Sequence, residues 1–241
     1  MAVVAQENIN TWLSQINNDY KSAVSVDCVI FGYDDDALKV LVAKCDMPPF
    51  ENEYSLLGDI VRPTETTDDA AKRVLVEKTG FTDVFLEQVQ VFSDLHRHPL
   101  GRVITVAYFS LIKIDDDHLA HLEKDASLQW IAVKDIKTLA FDHYNIMDTC
   151  YRKMQKQIRE QPIGFNLLPK KFSLLQLQRL YEVILNIELD KRNFRRKLSA
   201  LDILKDLDEI EESVSHRPAK LYAFDESVYE KKKMTGFNFD L

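Results

Sequence analysis

The chain has 241 residues, 46% hydrophobic and 29% charged, which is long enough for one large folded domain or two modest ones. The net charge of −8 is unevenly distributed: residues 1–161 hold 17 basic against 26 acidic side chains, whereas residues 162–241 hold 14 against 13. The acidic first part argues against a nucleic-acid surface there. The three cysteines, Cys28, Cys45 and Cys150, are too widely spaced for a zinc motif or a disulfide framework.

The first elements in chain order are a helix and two strands. An opening amphipathic helix is predicted by apolar residues at the i, i+3, i+4, i+7 spacing: Ile9, Trp12, Leu13 and Ile16. Strands are predicted over 27–32 and 38–43, with an acidic turn between them. Because neither a signal peptide nor a membrane-length apolar run is present, we expect a soluble cytoplasmic protein without a membrane partner.

Residues 58–81, GDIVRPTETTDDAAKRVLVEKTGF, predict a capped helix. Thr66 or Thr67 can begin it, and Gly80 can end it. Its apolar stripe consists of Ala70, Ala71, Val74 and Leu75. Further strands are predicted over 88–94, 103–114 and 129–133, and a helix over 148–160. Alternating strands and helices favour an α/β sandwich with a mixed sheet.

The sequence Pro162-Ile163-Gly164 interrupts this pattern, so we place a domain boundary there, with domains at 1–161 and 162–241. Ser173 and Gln176 form the pattern of a capping box, which predicts a supporting helix after it.

A second helix is predicted over 191–201, capped by Asp190 and with a divided surface. Phe194, Leu198 and Leu201 share the inner side, and basic residues cover the opposite arc. Two helices joined by a short turn, with arginines on the second, are typical of a helix-turn-helix. The alternative is a solvated basic face that is balanced by the acidic run 206–212.

A strand over 219–224 behind a tight tip completes the pattern of a winged helix. The candidate DNA-binding residues are Lys191, Arg192, Asn193, Arg195, Arg196, Lys197, Ser199, Arg217 and Lys220. The three lysines at 231–233 are interpreted as a solvated tail.

The segment 58–81 resembles the Nudix box, in which a helix carries glutamates that bind magnesium for diphosphate hydrolysis. The matching residues are Glu65, Arg73, Leu75, Glu77, Gly80 and Phe81. Asp59 replaces the leading glycine, and Val74 and Lys78 replace two glutamates. Magnesium needs several oxygen ligands, so the resemblance implies a degenerate box, with no metal, no cofactor and no enzymatic activity.

The whole chain resembles the Nudix-related transcriptional regulators, and in particular their pentose-utilisation subgroup. This resemblance rests on residues 162–184, the DKRNFRRKL helix, the RPAKLYAFD wing and the degenerate box. It implies a Nudix-like α/β/α sandwich followed by a winged helix, and a ligand-responsive homodimeric repressor of operator DNA. The loop 95–102 resembles the family's segment near the effector site, although His96 and His98 depart from it; a polar loop and a metal pair both stay open for them.

The effector is expected to be a small sugar such as a pentose, because an ADP-ribose-like ligand carries phosphates that need a metal or several cations. The candidate effector-binding residues are Lys44, Asp59, Arg62, Glu65, Arg73, Glu77, Arg97 and Arg102. Glu65 and Arg73 have an alternative role as an internal ion pair. The alternative functions are a hydrolase of nucleoside diphosphate derivatives and an interaction scaffold.

Overall fold

A computed structural model of the chain describes residues 21–82, 84–99, 101–115, 119, 126–212 and 218–235. The predicted opening helix and the wing-tip Arg217 lie outside these ranges. Within the described part of the chain, no helix is long and apolar enough to cross a membrane.

Seven strands of the first part form one sheet. They are β1 (Ala23–Tyr33), β2 (Leu38–Lys44), β3 (Tyr54–Ser55), β4 (Leu57–Ile60), β5 (Glu87–Phe92), β6 (Val103–Lys113) and β7 (Leu128–Ala132). The order is β3-β2-β1-β6-β5, with β4 added to β1 and β7 to β2. β1 runs parallel to β6 and the other pairs are antiparallel, which confirms the mixed sheet. The short strands β3 and β4 were not predicted.

Helix α1 (Thr67–Thr79) covers one face of the sheet and begins and ends as predicted. Thr66 and Asp69 form a capping box, and Gly80 adopts the left-handed conformation with φ 75°. The predicted apolar stripe is buried against β1 and β4: Ala70, Ala71, Val74 and Leu75.

Helix α2 (His143–Glu160) covers the other face and begins five residues before the predicted start at Asp148. Asp142 stands at the N-cap, but its carboxylate accepts hydrogen bonds from Arg97 instead of capping the first turn. Its buried face is His143, Ile146, Met147, Cys150, Met154 and Ile158. A 3₁₀ turn, Val133–Asp135, follows β7.

The second part is a winged helix, entered through a 3₁₀ turn at Pro162–Leu167. Its elements are β8 (Phe172–Ser173), α3 (Leu174–Leu185), α4 (Lys191–Leu201), β9 (Leu204–Ile210), β10 (Lys220–Phe224) and α5 (Glu226–Met234). The three strands pair in the order β8-β10-β9. The predicted helix over 191–201 and the strand near 219–224 are therefore confirmed.

Two features of the second part were not predicted. Most of the acidic run 206–212 forms β9, a largely exposed strand whose charges hide its β pattern. The lysines at 231–233 belong to α5 rather than to a solvated tail. The ammonium group of Lys232 donates to the carbonyl oxygen of Leu201 at 2.9 Å and ties α5 to the end of α4.

The two parts share a continuous apolar core. Ile158 of α2 lies against the 3₁₀ turn, where a Cβ added to Gly164 would come within 3.1 Å of it. Tyr151 donates its hydroxyl to the carbonyl oxygen of Ile184 at 2.9 Å, and Gln155 donates to that of Leu185 at 3.1 Å. These bonds satisfy carbonyls at the end of α3 that have no partner within the helix. The boundary at 161/162 stays a prediction, because packing is unbroken across it.

We expect Ile158→Ala to lower the free energy of unfolding by about 2–5 kcal/mol, because it leaves a cavity where α2 meets the winged helix. Ile210→Ala, at a side chain that is 58% exposed, should change it by no more than about 0.5 kcal/mol. Urea denaturation of the two variants checks this, and equal losses would show that the junction is not tightly packed.

Candidate functional site: an internal cavity and a basic helix

A cavity of about 250 Å³ opens at one end of the sheet, between β1, β4 and the first turn of α2. Ser25 and Asp27 of β1 and Thr105 of β6 lie at its base. Its walls include Lys44, Asp59, Lys78, Arg97, His98, Phe141 and His143. Gly58 of β4 is needed here, because a Cβ at that position would lie 2.1 Å from a carboxylate oxygen of Asp27. The ends of these strands thus leave a polar cavity beside α1.

The base of the cavity holds buried charges. Arg97 donates to both carboxylate oxygens of Asp142, at 2.8 and 2.6 Å, and to the hydroxyl of Thr105 at 2.5 Å. Asp27 lies 3.8 Å from Arg97 and 3.5 Å from His143. Burial raises the pKa of Asp27, although His143 and Arg97 oppose that shift. Side-chain exposures of only 4% for Arg97 and 7% for Asp27 keep water from screening these charges.

One wall of the cavity is aromatic. The ring of His98 stacks on Phe141 with centroids 5.0 Å apart and an interplanar angle of 7°. Phe141 also contacts Phe50 and His143. Burial lowers the pKa of His98, and the neighbouring Arg97 adds to this effect. A neutral imidazole against a phenyl ring offers a flat surface for a ligand ring.

Arg73 organises a separate network outside the cavity. Its guanidinium group donates to Glu65 at 2.8 and 3.0 Å, to Asp59 at 2.8 Å and to Glu77 at 3.2 Å. The hydrogen bonds from Arg73 and from the backbone of Arg62 lower the pKa of Glu65 to about 2. The alternative internal ion pair between Glu65 and Arg73 is therefore present, and it braces the loop after β4 against α1.

These residues do not fit a magnesium ion. Val74 is 1% exposed and packs in the core, and Lys78 brings a positive charge. The remaining carboxylates, Glu65 and Glu77, are paired with Arg73. In the described ranges, no group of three or more His, Cys, Asp or Glu side chains could hold a metal. A hard divalent cation would have to displace a guanidinium group before it gained two carboxylate ligands.

The structure brings only part of the predicted effector set together. Lys44, Asp59 and Arg97 line the cavity. Arg62, Glu65, Arg73 and Glu77 lie in the adjoining ion-pair network instead. Arg102 donates to the backbone carbonyl oxygen of Ser93 and braces the loop before β6.

Asp27, Phe141 and His143 line the cavity and were not predicted to do so. Asp27 carried a usable signal, because it is a carboxylate within an otherwise apolar strand. Phe141 and His143 carried no such signal in the sequence, because only the folded position of the segment that leads into α2 brings them to the cavity.

Helix α4 presents the predicted basic face. Asp190 accepts the backbone N–H of Asn193 at 2.7 Å and caps the helix. Phe194 is 3% exposed and packs on Tyr181 of α3, with ring centroids 5.9 Å apart. The exposed residues of the predicted DNA-binding set on this helix are Lys191, Arg192, Asn193, Arg195, Arg196 and Ser199, and Lys197 is partly buried.

In the wing, Lys220 is paired with Asp206 of β9 at 3.0 Å. This bond raises the pKa of Lys220 and neutralises part of its charge. Lys220 is therefore a weaker candidate for a phosphate contact than the arginines of α4.

Comparison with known proteins identifies both parts. A NUDIX domain model matches residues 21–151, and a model of the NrtR DNA-binding winged helix domain matches residues 164–224. The chain is 31% identical over 229 residues to the ADPR responsive transcriptional repressor NtrR of Acinetobacter baylyi, covering 92% of this chain and 88% of that protein. It is 27% identical over 125 residues to an ADP-ribose pyrophosphatase of Methanocaldococcus jannaschii, covering 52% of this chain and 70% of that protein.

Among solved structures, Shewanella oneidensis NrtR complexed with a 27mer DNA aligns with a TM-score of 0.72 and 25% identity, over 90% of this chain and 99% of that one. Shewanella oneidensis NrtR alone aligns with a TM-score of 0.71 and 26% identity, over 90% and 99%.

Glu65→Gln is expected to lower stability in a pH-dependent way. The pKa of Glu65 lies near 2 in the folded chain against an ordinary 4.5, so its contribution is fully present above about pH 4.5 and is lost as pH falls through 2. In urea denaturation at a series of pH values, the gap between the unmodified chain and the variant should shrink on acidification.

Glu53→Gln is the matched control, because Glu53 is exposed and has no ion pair among the described residues. If the stability difference between Glu65→Gln and the unmodified chain stayed constant from pH 7 to pH 3, the proposed stabilisation by the Glu65–Arg73 ion pair would be contradicted.

Proposed function

Because the chain belongs to the family that joins a NUDIX domain to an NrtR-type DNA-binding winged helix, we propose that it is a transcriptional repressor responding to ADP-ribose or a similar nucleoside diphosphate sugar. The proposal rests mainly on one observation: helix α2 contacts both the charged cavity and the winged helix. Its first residue, His143, lines the cavity, its N-cap Asp142 binds the cavity residue Arg97, and its Tyr151 binds the end of α3.

The expected preference for an uncharged pentose finds no support in the relatives, since the repressor of Acinetobacter baylyi responds to ADPR. The pentose was expected because the box has lost metal ligands and the first part of the chain is acidic. In the structure, Arg73 and Arg62 balance part of the charge of the box carboxylates, while Lys44, Lys78 and Arg97 line the cavity. A ligand with phosphates therefore meets cations there.

Hydrolysis of the ligand is the weaker candidate function, favoured by the likeness to the pyrophosphatase of Methanocaldococcus jannaschii. The buried Val74 and the cationic Lys78 oppose it, because they remove two carboxylates that would hold magnesium. We therefore propose that the domain binds its ligand without cleaving it.

DNA binding is assigned to α4, with the wing assisting. Arg192, Arg195 and Arg196 are exposed on a helix whose opposite face is anchored on α3. A fixed helix with exposed guanidinium groups suits the major groove, where arginine contacts phosphates and guanine edges. We further propose a homodimer on a two-fold related operator, as is usual for helix-turn-helix repressors.

Replacing Arg192 and Arg195 together with alanine is expected to weaken binding to DNA from the chain's own upstream region by about 1–3 kcal/mol per arginine. The dependence of log K on log salt should also become shallower, by about 0.9 for each phosphate that the protein no longer neutralises. Fluorescence anisotropy at several salt concentrations measures both.

The matched control is Arg152→Ala with Lys156→Ala, which removes two exposed charges from α2. The recognition-helix assignment fails if both double variants bind DNA equally.

Saturating ADP-ribose is expected to weaken operator binding by roughly 5- to 150-fold, the usual range of coupling between two sites. Ribose at the same concentration should have no effect, and thin-layer chromatography of the same samples with magnesium should show intact ADP-ribose. A response to ribose alone would restore the pentose hypothesis, and magnesium-dependent cleavage would restore the hydrolase.

A further inference from the structure

The cavity continues into a second hollow of about 520 Å³. The two share one stretch of wall, formed by residues 43–46 at the end of β2 and by Lys78 of α1. The second hollow extends to Glu51, Asn52 and Ser127. Together they form a groove with a partly buried aromatic end at His98 and Phe141 and a polar end at Asn52 and Ser127, which suits a ligand made of two parts.

Lys44 and Lys78 lie at the middle of this groove. Both are exposed, and neither has a carboxylate within ion-pair distance among the residues that the structure describes. Most other basic groups near the box are paired: Arg73 holds Asp59, Glu65 and Glu77, and Arg62 also holds Glu77. The middle of the groove therefore presents two ammonium groups with unused hydrogen-bonding capacity.

Acidic groups also face the groove, at Asp46, Glu51 and Asp59. Asp59 is already paired with Arg73 at 2.8 Å, and this bond lowers its pKa. Asp46 and Glu51 are exposed side chains whose charge water screens more strongly.

The position of Lys78 is set by the fold. It stands in the last turn of α1, and the buried Val74 and Leu75 of the same helix hold that turn against the sheet. Lys78 occupies the position at which the Nudix box has its last glutamate. A residue that would bind a cation is thus replaced by a residue that is a cation, at the same place beside the cavity.

We propose that Lys44 and Lys78 bind the diphosphate of the effector directly and take the place of a magnesium ion. The inference rests on the proposed function, and it deepens that function by assigning these two residues and a metal-independent mode of binding. Two ammonium groups match the two negative charges of a diphosphate diester, and each can donate up to three hydrogen bonds. The ligand's two sugars would extend to either side, towards His98 and towards Ser127.

The test is isothermal titration calorimetry of the full chain with ADP-ribose, once in EDTA and once in magnesium. We expect the affinity of the unmodified chain to be the same in both buffers. Lys78→Gln and Lys44→Gln should each weaken binding by about tenfold or more, since each removes a charge-assisted hydrogen bond. Lys78→Arg should retain most of the affinity, because it keeps the charge.

Lys72→Gln is the matched control, because Lys72 is an exposed lysine of the same helix that lines neither hollow. Thermal melting of all variants confirms that each is folded. Binding that needs magnesium, or a Lys78→Gln variant that binds as tightly as Lys72→Gln, overturns this inference and leaves the proposed function standing. An unmodified chain that binds no ADP-ribose in either buffer overturns both.

Discussion

The burial of α2 between the sheet and the winged helix is the constraint on which the rest of the structure depends. Its apolar face, from Ile146 to Ile158, packs in a core that continues through the 3₁₀ turn into α3. Its first turn forms a wall of the cavity, and Tyr151 and Gln155 bind carbonyl oxygens at the end of α3. A ligand that moved the first turn of α2 would therefore act on α3, the helix on which the basic helix α4 packs. The reason is that a close-packed interior transmits a displacement rather than absorbing it.

The pairing of charges supports the proposal that a helix resembling a hydrolytic motif serves binding. Arg73 engages three carboxylates on one side of α1 and Arg62 pairs with one of them, so part of the acidity that the sequence shows is balanced within the protein. The lysines at 44 and 78 face the groove without such partners among the described residues. Formal charge along the chain therefore misrepresents the local field, which depends on which charges are paired.

Elements with strong local signals were predictable, and elements defined by distant contacts were not. Helix α1 was predictable from its caps and stripe, and α4 from the phasing of Phe194 and Leu198. The start of α2 was missed: Asp142 at its N-cap binds Arg97 instead of capping the helix, and His143 accepts a hydrogen bond from the backbone of Leu56, so distant contacts hold the first residues. Strand β9 was hidden by acidic residues on an exposed surface. In the site, the Glu65–Arg73 pair was foreseen as one alternative, whereas the contact of Asp27 with Arg97 and His143 joins segments far apart in the chain.

The sequence by itself determined the two-part architecture, the loss of the metal-binding carboxylates and the basic face of α4. The architecture follows from the order of elements and motifs along the chain, and the other two features depend on residue type at fixed spacing along one helix, where helical geometry converts spacing directly into position. Only the tertiary structure decided which charged groups line the cavity and which neutralise one another. That outcome depends on contacts between strands, loops and helices separated by tens of residues, and the free energy of a buried or paired charge is set by those neighbours rather than by the local sequence.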